Sequence, residues 1–78
     1  MEKIKLIWDF RGSNDIQTAT HYTKHLIEFF EEKKLTLIDY GVETINEFHY
    51  LAYAVVYKVD IEKIKHSLKP NRAFLLKN

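Results

Sequence analysis

Apolar side chains along this chain switch between a spacing of two and a spacing near three and a half. Ile4, Leu6, Trp8 and Phe10 alternate with Lys3, Lys5, Ile7 and Asp9, which predicts a strand over Ile4–Phe10 with the even positions on its apolar face. Arg11-Gly12-Ser13-Asn14-Asp15 reads as a turn, and Ser13, Asn14 and Asp15 are all helix-capping residue types. From Asp15 to Lys34 the rhythm is helical. Ile16, Ala19, Tyr22, Leu26, Phe29 and Phe30 form one stripe, and Gln17, Lys24, Glu28 and Glu31 lie opposite. Leu35–Thr44 predicts a second strand with a bulge at Gly41, Ile45-Asn46-Glu47 a turn, and Phe48–Tyr57 a third strand rich in aromatics and valine. Asp60 is placed to cap a second helix over Ile61–Lys69, which Pro70 ends. Arg72–Lys77 is a short last strand.

The order strand, helix, strand, strand, helix, strand is the split βαβ pattern. Right-handed crossovers then give an α+β, ferredoxin-like sandwich: a four-stranded antiparallel sheet of order 4-1-3-2 with both helices on one face. Residues 1–78 form one such domain, with no linker, repeat or low-complexity segment. Pairing Trp8 with Tyr50, Leu6 with Ala52 and Ile4 with Ala54 sets large residues against small ones beneath the helices. That register turns Ile7, Leu37, Leu51, Tyr53, Val55 and Tyr57 to the other face, which an open sheet normally keeps polar.

Composition sharpens this point. Hydrophobic residues make up 46% of the 78, and aromatics 14%, which is much apolar surface for so short a chain. A homodimer through the open sheet face is the expected way to cover it; the alternative is a monomer with an aromatic surface. With no cysteine, disulfides and thiolate chemistry are excluded. A net charge of +1 gives no reason to expect nucleic acid or a membrane surface as partner. The opening residues lack a signal-peptide core, and no apolar run reaches membrane-spanning length, so a cytoplasmic protein is expected.

The candidate chemistry gathers at one end of the sheet, where Asp9, Arg11, Glu43, Glu47, His49 and Arg72 come from neighbouring segments. In the expected register Asp9, His49 and Glu43 form a row across three strands. A histidine held between two carboxylates suits a general acid or base; the structural alternative is a charge-paired row at the sheet end. Arg11, Gly12, Ser13 and Asn14 precede a helix N-terminus and, with Arg72, would hold a small anion; a simple capped turn is the alternative. His21 and His25 have the i, i+4 spacing of zinc-binding helices, but Tyr22 stands where such helices carry glutamate, so surface histidines are expected and no metal or cofactor.

Several families with this element order are distinguished by their motifs. Tyr53 and Tyr57 sit where RNA-recognition motifs stack bases, yet the first strand offers Ile7 and Asp9 there. Metal-chaperone domains need a CxxC pair. Phe10-Arg11-Gly12-Ser13 is faintly similar to the acylphosphatase loop. Asp9-Phe10-Arg11-Gly12 resembles the Asp-x-Pro-Gly turn of ACT regulatory domains, with Arg11 in place of proline. As a whole the chain resembles the small, stand-alone ferredoxin-like proteins of bacteria. That resemblance implies a fold and carries no activity with it. The sequence therefore supports a non-enzymatic homodimeric module binding a small anion or a protein partner, with a small enzyme using His49, Asp9 and Glu43 as the alternative.

Overall fold

In the computed structural model, which describes residues 2–12 and 15–76, the chain runs β1 (Lys3–Arg11), α1 (Asp15–Lys33), β2 (Asp39–Asn46), β3 (His49–Tyr57), a 3₁₀ turn (Lys58–Asp60), α2 (Ile61–Leu68) and β4 (Arg72–Leu76). One antiparallel sheet has the order β2-β3-β1-β4, the ferredoxin-like arrangement. Leu6, Trp8, Ala54 and Val56 from the central strands pack with Leu26 and Phe30 of α1 and Ile64 of α2 to make the core. The even side of β1 and the alanines of β3 thus lie beneath the helices, as the alternation requires.

The register differs from the expected one by two residues. Trp8 is opposite Ala52, Leu6 opposite Ala54 and Ile4 opposite Val56, while Tyr50 faces Phe10. The shift is even, so every side chain keeps its face. It also sets both alanines against the two largest buried residues of β1, a better match of volumes than Trp8 against Tyr50.

Element ends depart from the sequence reading for local reasons. Lys34 takes a left-handed conformation with φ 57°. Lys34 N–H donates to the Glu31 carbonyl at 3.2 Å and Leu35 N–H to the Phe30 carbonyl at 2.9 Å, the paired bonds of a Schellman ending. Leu35 and Leu37 then pack against the core instead of pairing, and β2 begins only at Asp39. Leu37 is consequently not on the open face. The strand continues through Ile45 and Asn46, where the Asn46 side chain accepts the Phe48 N–H at 2.9 Å and fixes a turn at Glu47-Phe48. The irregularity in this hairpin falls between Thr44 and Asn46, not at Gly41. Asp60 makes no side-chain cap, because the 3₁₀ turn already delivers the chain to α2 with helical dihedrals. No helix among the described residues is long and apolar enough to cross a membrane.

Candidate functional site

Asp9 anchors the polar end of the sheet. Its carboxylate accepts His49 Nε2 on Oδ1 at 2.8 Å, Arg72 Nη2 on Oδ1 at 2.8 Å and Arg72 Nε on Oδ2 at 3.1 Å. Its backbone N–H donates to Asn71 Oδ1 at 2.8 Å, and Asn71 N–H donates to the Ile7 carbonyl at 2.8 Å. The pairing explains how these residues meet. His49 is opposite Arg11 and reaches diagonally to Asp9, while Arg72, opposite Ile7, reaches from the other flank. Burial raises the pKa of Asp9, but the hydrogen bonds and charges of His49 and Arg72 outweigh it and hold the carboxyl below its ordinary value of 3.8.

Glu43 is not in this cluster. The two-residue register shift places it opposite Leu51, and its carboxylate takes Lys5 Nζ at 3.0 Å. Asp9 and His49 come together as the sequence reading expected, and Arg72, assigned there to anion binding, replaces Glu43. Chemically the cluster is a closed ion-pair network, since the guanidinium grips both carboxylate oxygens. Such an aspartate orients the His49 ring. Near it, Arg11 is exposed, and Gly12 N–H is spent on the Phe48 carbonyl at 2.9 Å. Ser13 and Asn14 lie outside the described residues.

The open sheet face is less open than its composition implied. Ile7, Leu51 and Val55 are 6%, 4% and 8% exposed within a single chain. Lys5 spans from β1 to Glu43 on β2, and its Nζ sits 4.4 Å from the centroid of the Tyr53 ring. Tyr53 lies across Gly41: a Cβ there would stand 2.9 Å from Tyr53 Oη and 3.0 Å from the ring carbons. The glycine that resembled a bulge signal in fact makes room for an aromatic ring. Tyr53 and Tyr57 remain half-buried, and Phe74 of β4 is 49% exposed on the same face.

A cleft that sequence reasoning missed lies on the helix side, between α2 and β4. It measures about 420 Å³ and is lined by Leu6, Ile61, Pro70 and Ala73, with His66 and the two lysines Lys65 and Lys69 completing its wall. It exists because α2 covers only part of the sheet, leaving Ala73 and Leu75 of the edge strand exposed. The only sequence signal was that Lys65 and Lys69 share a face with Ile61 at helical spacing. The remaining candidates, His21 and His25, are exposed on α1 with their Nε2 atoms 3.0 Å apart. Among the described residues no group of three or more histidine, aspartate or glutamate side chains converges as a metal cage would.

No family model matches the chain, and comparison with curated proteins and with solved structures likewise found no match.

Proposed function

We propose that this chain is a non-enzymatic binding module that takes a small amphipathic anion, an apolar body ending in a carboxylate or phosphate, in the cleft between α2 and β4. One observation carries this reading: an apolar hollow of ligand size with cationic groups around it. Lys65 and His66 share the carboxylate of Glu62, at 3.0 Å and 3.6 Å, which leaves Lys69 as the cation best placed to meet an incoming anion. Of the other residues expected to hold an anion, Arg72 is held by Asp9 and Gly12 N–H is already donated to the Phe48 carbonyl.

Thermal unfolding with octanoate and with phenyl phosphate tests the proposal. Both are expected to raise the melting temperature in a saturable way. Lys69→Glu is expected to weaken the effect about tenfold, and Ala73→Trp to abolish it by filling the cleft. Equal responses of wild type and both variants would refute the proposal.

The alternative reading, acid–base catalysis by His49, draws on its 2.8 Å contact with Asp9. Arg72 on the same carboxylate and the diversion of Glu43 to Lys5 favour a structural role instead. Self-association through the open face draws on Phe74, Tyr53 and Tyr57. With Ile7, Leu51 and Val55 already covered inside one chain, that association is a weak one.

A further inference from the structure

We propose that His21 and His25 chelate one divalent transition-metal ion on the exposed side of α1. The residues are one helical turn apart, and their rings meet edge to face with centroids 4.7 Å apart. Their Nε2 atoms are 3.0 Å apart. Two imidazoles touching through these nitrogens need a proton between them, one ring donating and the other accepting. A metal ion can replace that proton. Two metal–nitrogen bonds of about 2.0–2.1 Å hold their nitrogens about 2.9 Å apart at a right angle and about 3.3 Å apart at the tetrahedral angle. The observed separation falls in this range, so a turn of the exposed rings that aims both Nε2 lone pairs at one point closes the pair on an ion.

A second contact points the same way. Glu28 Oε1 lies 3.4 Å from His25 Nδ1. A carboxylate this near can close onto the Nδ1 proton once Nε2 binds the ion, the arrangement found behind metal-bound histidines. Gln17, Thr20 and Lys24 line a shallow cleft of about 260 Å³ beside His21, which leaves room for water on the ion; the charge of Lys24 opposes binding. With two nitrogen ligands and water, the order of affinity is copper(II) ahead of nickel(II) and zinc(II).

The test is calorimetric titration of the untagged protein with copper(II), repeated with zinc(II). One copper ion per chain with a micromolar dissociation constant is expected. His21→Ala and His25→Ala are each expected to lose about a hundredfold, and Glu28→Gln about tenfold. His66→Ala, on α2 and paired with Glu62, is expected to bind as wild type does. Both α1 histidines are exposed, so circular dichroism of the variants is expected to match wild type. Wild-type affinity in His21→Ala, an equal loss in His66→Ala, or no binding to the parent protein would each overturn the proposal.

Discussion

Asp9 joins three strands through one carboxylate, so its removal is expected to be felt in stability first. Asp9→Asn is expected to cost about 2 kcal/mol in urea unfolding at neutral pH, because Arg72 and His49 lose a charged partner. The same group sets a pH dependence. Its folded pKa lies below the unfolded value of about 3.9, so the unfolded state binds the proton more readily there. The stabilisation is present above that value and is lost as pH falls through the depressed folded pKa. Wild type is therefore expected to lose more stability than Asp9→Asn below about pH 4; parallel acid limbs in urea unfolding would contradict this. At Gly41 a methyl group meets the Tyr53 ring, so Gly41→Ala is expected to cost about 1 kcal/mol, and less when Tyr53 is also alanine. Asp9 and His49 were legible as neighbours from the alternation alone. The exchange of Glu43 for Arg72 was not, since a two-residue slip preserves every face and only coordinates reveal it.

The ends of the elements hold most of what the sequence did not disclose. A periodic stripe reports that a helix exists but says little about how it stops. Lys34 stops α1 in a conformation that glycine adopts without steric cost. Lys34→Gly is accordingly expected to stabilise the protein by about 0.5–1 kcal/mol, read from the midpoint of chemical unfolding. At the end of α2 the Leu68 carbonyl accepts Trp8 Nε1 at 2.8 Å and Tyr22 Oη at 3.3 Å, so the core itself closes the helix. Burial raises the Tyr22 pKa, with the Trp8 contact acting in the opposite sense. Tyr22→Phe leaves Trp8 on that carbonyl and is expected to cost under about 1 kcal/mol, whereas Trp8→Phe frees it and removes core volume, at about 2–4 kcal/mol. Strand two was misplaced because Leu35 and Leu37 are apolar for the sake of the core, not as members of a paired strand.

At the scale of the whole molecule, order and handedness were enough to give the topology, because crossover rules leave few arrangements of six such elements. Association was harder to read. Composition counts apolar side chains but not the lysine that lies over them, and Lys5 covers part of the face that had argued for a dimer. Sedimentation velocity is expected to show a monomer at micromolar concentration, with Phe74→Lys removing any dimer that forms at higher concentration; a tight dimer that Phe74→Lys dissociates would contradict this and make the sheet face the interface. The cleft was illegible for a related reason, since it arises from the part of β4 that α2 leaves uncovered. Amide chemical-shift mapping with octanoate tests its role most directly. Saturable shifts centred on Leu6, Ile61, Lys65, Lys69 and Ala73 are expected. Shifts centred on Arg11 and Gly12, or none at all, would contradict it.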